Sequence, residues 1–220
     1  MAEEKNITVT VATEEKTEAA EPKTENQYLL KLNRPYVFEG TEYAEIDLAG
    51  LDKLTAQDAI NAQRQLFAER EPAAMLLCET TTAFVRILAA KATGLPIEFF
   101  KLAPRGISRR IYGLVMEYLN VPANTENHVV RLEKPYYFEG KQYTEVDLNG
   151  VADLNSLNES AAENRLSRAG FMVTDTSYNY LYACILAGMA TGLPEEFFTG
   201  LPLYEVLKIK NAVNDAGFFE

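Results

Sequence analysis

The chain has 220 residues, of which 47% are apolar, and a formal net charge of −11 at neutral pH. This length suits one or two globular domains, and the apolar fraction is typical of a protein with a buried core. The negative charge is spread unevenly: residues 1–26 carry −4, residues 27–125 are neutral and residues 126–220 carry −7. Because an acidic protein repels a phosphate backbone, the composition argues against general binding of nucleic acid.

The amino-terminal segment predicts neither a signal peptide nor a structured element. It is acidic and lacks an apolar core segment, and no apolar run in the chain approaches the length of a membrane span. Residues 1–26 are rich in Glu, Thr and Ala, so we expect a disordered acidic tail, with a weak edge strand at residues 7–11 as the alternative. The two cysteines, Cys78 and Cys184, lie in apolar helical patterns and are expected to be buried and reduced, as in a cytosol.

Two stretches of the sequence occur twice. Residues 34–51 (RPYVFEGTEYAEIDLAGL) return 100 positions later as KPYYFEGKQYTEVDLNGV, and residues 92–100 (ATGLPIEFF) return 98 positions later as ATGLPEEFF. A period of about 100 residues is too long for a solenoid and predicts a duplicated small domain. The predicted organisation is an acidic tail (1–26), a first repeat domain (27–120), a linker (121–127) and a second repeat domain (128–220).

Each copy is expected to open with a β-hairpin. The Glu-Gly pairs at 39–40 and 139–140 lie between aromatic, β-rich runs and predict tight turns, because Gly adopts a positive φ angle at no steric cost. Pro35 and Pro135 cannot donate to a ladder and belong at a strand start or an edge. The alternation of the second strand predicts two faces, with Ala44, Ile46 and Leu48 on one and Tyr43, Glu45 and Asp47 on the other.

Helical patterns follow each hairpin. An amphipathic helix is predicted in each copy, with Thr55 as the N-cap in the first and Asn155 as the N-cap in the second. A more apolar helix is predicted from about residue 73 to 93 in the first copy, and its counterpart is predicted to start at Thr174 or Asp175.

The ends of these helices are marked by glycine and proline. Gly94 and Gly192 are the expected C-terminal caps, and a last helix is expected to open near Pro104 and near Pro202. The predicted fold class is α+β and mostly helical, with two tandem repeats that each consist of a β-hairpin followed by about three helices.

Residues with catalytic or metal-binding potential are few. His128 is the only histidine, so neither a metal site built on several histidines nor a Ser-His nucleophile pair is favoured. Glu45 with Asp47, and Glu145 with Asp147, lie two residues apart on a strand, as acid-base chemistry or a hard cation would need. A solvated strand face is the favoured alternative, and we predict no enzyme activity, no metal and no cofactor.

Contact surfaces for another protein are better supported. Tyr178 and Tyr182 lie one helical turn apart, with Tyr180 on another face, and tyrosine is enriched at interfaces. Packing at the edge of the core is the alternative for these side chains.

Two further groups are candidate contact residues. Arg105, Arg109 and Arg110 lie early in the predicted last helix of the first copy, where cations oppose the helix dipole. Such a placement indicates either a contact with acidic groups or a solvated face. Phe218 and Phe219 at the carboxyl end either fold back or stay exposed for a partner.

The combined motif resembles a known family. The pattern is L-x-[RK]-P-Y-x-F-E-G-x-x-Y-x-E-[IV]-D-L-x-G, followed by A-T-G-L-P-x-E-F-F. It resembles the sequence pattern of the tail assembly chaperones of tailed bacteriophages, and in particular of those encoded by phages and prophages of Gram-positive bacteria. The second copy also carries the family's ending, LPLYEVLKIKNAV at residues 201–213, whereas the first copy has LAPRGISRRIYGLV at residues 102–115.

The resemblance implies a role in viral tail assembly. Such chaperones coat the long tape measure protein, are displaced when major tail protein polymerises around it, and are absent from the mature virion. They act in the cytoplasm of the infected or lysogenic bacterial host. Two copies on one chain would hold a long ligand at two points. Alternatively, one copy binds the partner while the other mediates self-association. Other classes are a structural tail or neck component of the virion and a prophage protein that acts on host machinery.

Overall fold

The computed structural model describes residues 27–121, 125–126, 128–172 and 176–215. In the described part of the first copy, an antiparallel hairpin leads through a short 3-10 turn into five α-helices. Its elements are β1 (Leu29–Phe38), β2 (Thr41–Asp47), α1 (Ala56–Ala68), α2 (Pro72–Leu77), α3 (Thr82–Thr93), α4 (Ile97–Leu102) and α5 (Arg105–Leu119).

From its hairpin onward the second copy repeats this order, except that its described residues contain no counterpart of α2. Its elements are β3 (Thr125–Glu126), β4 (Val129–Phe138), β5 (Lys141–Asp147), α6 (Ser156–Arg168), α7 (Tyr180–Thr191), α8 (Glu195–Gly200) and α9 (Leu203–Val213). The strands β4 and β5 and the helix α6 lie 100 residues after β1, β2 and α1, and α7 and α8 lie 98 residues after α3 and α4. The predicted α+β fold of two tandem repeats is therefore confirmed.

Each hairpin turns at its predicted Glu-Gly pair. Glu39 and Gly40 have φ angles of 49° and 80°, and Glu139 and Gly140 have φ angles of 47° and 76°. Two consecutive positive φ angles give the two-residue turn whose twist matches that of the flanking strands. The turns therefore set the same strand register in both copies.

A bulge at Pro35 alters how the first hairpin faces the core. Lys31 pairs with Glu45 and Tyr36 pairs with Tyr43, so four residues of β1 lie opposite one residue of β2. Proline fits such a bulge because it has no N–H to donate to the ladder. Past the bulge, Tyr43 packs against the core while Ala44 is exposed. This arrangement corrects the predicted faces of these two residues, whereas the other residues of the predicted core face are buried.

The two repeated motifs contact each other within each copy. In the first copy the ring centroid of Phe99 lies 4.9 Å from those of Tyr36 and Tyr43 and 5.4 Å from that of Phe38. In the second copy Phe197 lies 4.8–5.5 Å from the three equivalent rings. These tilted and edge-to-face pairs stabilise the fold beyond the area they bury. One aromatic cluster in each copy explains why both motifs occur twice.

A close backbone approach joins the same motifs. Gly50 ends the first motif, and a Cβ atom there would overlap the carbonyl oxygen of Ala92 in the second motif. Gly150 and Ala190 stand in the same relation in the second copy. Only glycine allows this approach, because every other residue carries a Cβ atom.

The first and last residues of several helices agree with the sequence. The Asp58 carboxylate accepts hydrogen bonds from the Thr55 N–H and hydroxyl groups at 3.0 and 3.1 Å, and Asn155 caps α6. Gly94 and Gly192 end α3 and α7, both with a φ angle of 72°. The last helix of each copy begins directly after its proline. These predictions are confirmed.

The single apolar helix predicted over residues 73–93 is wrong. The segment forms α2, a 3-10 turn and then α3. The Thr81 hydroxyl accepts a hydrogen bond from the Phe84 N–H at 3.2 Å and donates to the Cys78 carbonyl at 2.7 Å. The N-cap residue of a helix has an extended backbone conformation, as Thr81 does here. The helical path from α2 therefore cannot continue through Thr81 into α3.

The start of α7 also differs from the prediction. Asn179 is its cap and accepts a hydrogen bond from the Tyr182 N–H at 3.0 Å. The helix therefore starts after Thr174 and Asp175, which lie outside the described residues.

The described residues of both copies share one hydrophobic core. Helix α1 packs against α3 of its own copy and against α7, α8 and α9 of the other. We call the contact of α1 with α7, α8 and α9 the seam. Backbone hydrogen bonds cross it from Ala56 N–H to the Leu201 carbonyl at 3.0 Å and from Leu203 N–H to the Leu54 carbonyl at 2.7 Å.

The seam makes the copies unequal. Helix α1 buries six residues, whereas its counterpart α6 buries only Ala162 and Leu166. Helix α9 buries nine of its eleven residues, whereas its counterpart α5 buries four of fifteen. One element of each matched pair is thus enclosed and the other is peripheral. The predicted tail lies outside the described residues, and the domain boundaries stay predictions.

We expect fragments of residues 27–121 and 128–215 not to fold cooperatively when they are separated. Separation would expose the apolar faces of α1, α7 and α9, which lowers the free energy of unfolding and promotes aggregation. Thermal unfolding followed by circular dichroism would compare each fragment, the co-expressed pair and the whole chain. Cooperative unfolding of either fragment at the Tm of the whole chain would contradict a shared core.

We expect Gly50→Ala to lower the free energy of unfolding by about 2–4 kcal/mol, because the backbone must move away from Ala92. Gly113→Ala is the matched control, since a Cβ atom at this position of α5 meets nothing within 4 Å. It should stabilise the protein by up to about 1 kcal/mol through helix propensity. Urea denaturation of both variants measures the difference, and equal stabilities would refute the close approach.

Candidate partner-binding surfaces

Tyr178 lies at the edge of the seam, in a 3-10 turn before α7. Its side chain is 37% exposed, and its carbonyl accepts a hydrogen bond from the Gln63 amide at 2.8 Å. The ammonium nitrogen of Lys210 lies 5.8 Å from its ring centroid. Tyr178 therefore contacts both copies while part of its ring faces solvent.

Tyr182 belongs to the core. It is 6% exposed, and it lies in α7, which packs against α6. Burial raises the pKa of Tyr182, and the nearby Glu159 carboxylate adds to the rise. Of the two alternatives given for these tyrosines, Tyr182 packs in the core and does not face a partner, whereas Tyr178 is partly exposed.

The three predicted arginines are exposed on α5. Arg110 donates a hydrogen bond from Nη1 to the Lys31 carbonyl at 2.8 Å, which ties α5 to β1. Arg105 and Arg109 make no ion pair within the part of the chain that the structure describes. Both lie on the exposed surface of α5, whereas Tyr178 lies in the turn before α7.

Several exposed apolar side chains are not among the predicted contact residues. Val37 and Tyr137 occupy equivalent positions on the two hairpins and are 62% and 69% exposed. Strand alternation predicts this exposure, because the two chain neighbours of Val37 and of Tyr137 belong to the aromatic clusters and the residue between them must face outward. Phe218 and Phe219 lie outside the described residues. Other exposed apolar residues are Leu102, Leu157 and Met172.

A buried ion pair joins the copies. Glu79 of the first copy is 8% exposed and Lys210 of the second is 7% exposed. The Lys210 ammonium group donates to Glu79 Oε2 at 2.9 Å and lies 5.4 Å from the ring centroid of Tyr180. Burial raises the pKa of Tyr180, and the Glu79 carboxylate adds to the rise. The polar groups at the seam are therefore structural, since they are enclosed by both copies.

The cysteine thiols are buried and unpaired, as predicted. Burial raises the pKa of Cys78 to about 12, with a contribution from the adjacent Glu79. Burial also raises the pKa of Cys184. Because the thiolate is the reactive form, both side chains are poor nucleophiles near neutral pH.

The acidic pairs of the hairpins have a local structural role. Asp47 accepts a hydrogen bond from the Ala49 N–H at 2.8 Å, and Asp147 accepts one from the Asn149 N–H at 2.9 Å. The hydrogen bonds from Asn149 lower the pKa of Asp147. Each Asp thus orders the turn after its hairpin. Among the described residues, no three His, Cys, Asp or Glu side chains gather where they could hold a metal ion.

No protein-family model, curated protein or solved structure matches this chain. The resemblance to the tail assembly chaperones is carried by the repeated motifs. Across the described segments, no helix is long and apolar enough to span a bilayer.

We expect Lys210→Met to lower the free energy of unfolding by about 3 kcal/mol, because it leaves the Glu79 carboxylate buried without its partner. Glu79→Gln combined with Lys210→Met should recover much of this loss, since no isolated charge remains. Lys101→Met is the matched control: it breaks the exposed pair with Glu98, whose charged atoms are 3.7 Å apart, and should cost less than about 1 kcal/mol. Equal losses for Lys210→Met and Lys101→Met in urea denaturation would contradict a stabilising role for the buried pair.

Proposed function

We propose that this protein is a tail assembly chaperone that binds the tape measure protein of its phage, keeps it soluble and promotes assembly of the tail tube. The observation that carries the proposal is the duplicated pair of motifs, the pattern on which the family resemblance rests. In each copy the two motifs meet in an aromatic cluster. Both repeated motifs of the family pattern thus meet in each copy, although only the second copy also carries the family's ending.

The arrangement of the hairpins supports two contacts with one ligand. Val37 and Tyr137 place one exposed apolar side chain on each hairpin, and both hairpins pack on the same core. The spacing between the two positions is held by the seam rather than by a flexible linker, so less conformational entropy is lost on binding. A net charge of −11 favours solubility of a complex with an aggregation-prone helix.

This role sets an order of events. The chaperone binds the tape measure protein in the bacterial cytoplasm before the tube forms. Polymerising major tail protein then replaces it along the tape measure protein, and the released chaperone is absent from the mature virion. Contacts of modest affinity suit this exchange, because two weak contacts hold a ligand together and can still be lost one at a time.

Co-expression with the tape measure protein of the same phage, followed by size-exclusion chromatography, tests the proposal. We expect a soluble complex that elutes as one peak, while the tape measure protein expressed alone is insoluble. If the tape measure protein stays insoluble and this chain elutes alone, the chaperone function is refuted.

We expect Val37→Asp and Tyr137→Asp each to reduce the yield of soluble complex and the double variant to abolish it, because each change places a charge on an apolar contact. Ala44→Asp and Thr144→Asp are matched controls at exposed positions of the neighbouring strands. Chromatographic yield measures the effect, with circular dichroism to show that folding is intact. Equal yields for the double variant and the controls would contradict binding through the hairpins.

A structural tail or neck subunit is the second candidate, and one observation favours it. Glu159 and Glu163 are exposed on α6, and Arg105 and Arg109 are exposed on α5, at positions equivalent to buried residues of α1 and α9. A head-to-tail contact between chains would join these opposite charges into a ring or filament. Light scattering of the purified protein and mass spectrometry of virions distinguish the candidates, since a virion subunit assembles alone and remains in particles.

A further inference from the structure

A cleft of about 440 Å³ opens between the two copies. Its walls come from the start of β1, the turn after β2, the end of α5, the middle of β4 and the start of α9. Most of its chemistry comes from tyrosines and carboxylates. These residues are Tyr28, Tyr118, Tyr204, Asp52, Glu117 and Glu133.

The aromatic part of the cleft suits a cation. The rings of Tyr28 and Tyr118 meet edge to face, with their centroids 6.1 Å apart. The ring of Tyr204 already has a cation beside it, since the Lys208 ammonium nitrogen lies 5.7 Å from its centroid. Ring faces attract ammonium and guanidinium groups through the electrostatic field of the π system.

The charged part of the cleft is acidic. Glu133 is paired with Lys208 at 2.9 Å, whereas Asp52 and Glu117 are exposed and form no ion pair within the described residues. The lining contains three carboxylates and one lysine, Lys134, and Lys208 beside Glu133 brings the net charge to −1. A positively charged group would be attracted into it.

The fields of these acids reach the tyrosines. Burial raises the pKa of Tyr28, Tyr118 and Tyr204, and the Asp52 carboxylate adds to the rise in each. A cation in the cleft would therefore interact with the rings and with the carboxylates at once.

Tyr118 contributes its ring to the wall of the cleft. The side chain is 5% exposed, and its hydroxyl oxygen is enclosed next to the backbone of Tyr204. A ligand in the cleft would therefore meet the ring of Tyr118 rather than its oxygen.

The lining is not a by-product of the duplication. At the equivalent positions of the other copy, Ala152 stands for Asp52, Gly106 for Tyr204, Asn33 for Glu133 and His128 for Tyr28. The repeated fold does not need these acids and rings, because the hairpin and the helices that recur in both copies form with or without them. They occur together only where the two copies meet.

We propose that the cleft binds the guanidinium group of an arginine side chain on a partner protein. The planar guanidinium group stacks on tyrosine rings and donates to several oxygens at once, which suits a cleft that combines tyrosine rings with the carboxylates of Asp52 and Glu117. The inference goes beyond the proposed function, since it holds whether the partner is the tape measure protein or another protein.

Titration of the full chain with a pentapeptide that carries one central arginine tests the proposal, with the same peptide carrying citrulline as the neutral control. We expect the arginine peptide to shift the ring signals of Tyr28, Tyr118 and Tyr204 in NMR spectra, and the citrulline peptide to bind at least about fivefold more weakly. Equal affinities, or no shift at these three rings, would overturn the proposal.

Variants distinguish the effect of the cleft carboxylates on peptide binding from the effect of the protein's overall negative charge. Asp52→Asn and Glu117→Gln should each weaken the arginine peptide roughly threefold and together about tenfold, whereas Glu163→Gln on α6 should change nothing. If the double carboxylate variant binds as tightly as Glu163→Gln, the assignment of the cleft is wrong.

Discussion

The enclosure of α1 by both copies is the constraint on which the rest of the structure depends. Its only fully enclosed polar side chain is Gln63, whose amide donates to the Tyr178 carbonyl at 2.8 Å and accepts from the Tyr180 N–H at 3.2 Å. Because a buried amide without partners is costly, this pair of bonds sets where α7 begins relative to α1. The Glu79–Lys210 pair and the two backbone hydrogen bonds of the seam are further polar contacts across the copies, so directional bonds supplement the apolar packing in fixing their relative placement.

The sequence predicts local features well because their causes are local. A turn at Gly40, a cap at Thr55 and a helix end at Gly94 each depend on a few neighbouring residues. The break before α3 was missed because apolar spacing continues across it, although Thr81 is a strong capping residue. The apolar run around Tyr182 is consistent with burial, but the sequence left core packing and a partner contact as alternatives because the helices that cover α7 come from distant segments.

The candidate surfaces also differ in how far the sequence predicts them. The outward positions on the hairpins follow from strand alternation, so the sequence contains enough information to find them. The cleft between the copies is different, because its walls come from five separate segments whose meeting depends on the seam. The hypothesis that two copies hold one ligand assumed two domains joined by a linker. In the structure the distance between the hairpins is set by packing and not by the length of a linker.

The change in spacing between the copies lies at the seam. Thirteen residues separate α1 from α3, but only eleven separate α6 from α7, whereas spacing is kept within the hairpins and from α3 to α4 as from α7 to α8. The longer connection contains Glu79, and the shorter one contains Tyr178. Length is thus preserved where a copy packs on itself and altered where it packs on the other. The two halves of the chain therefore pack like the subunits of a heterodimer joined in one polypeptide, because α1 and α9 are enclosed whereas their counterparts α6 and α5 are peripheral.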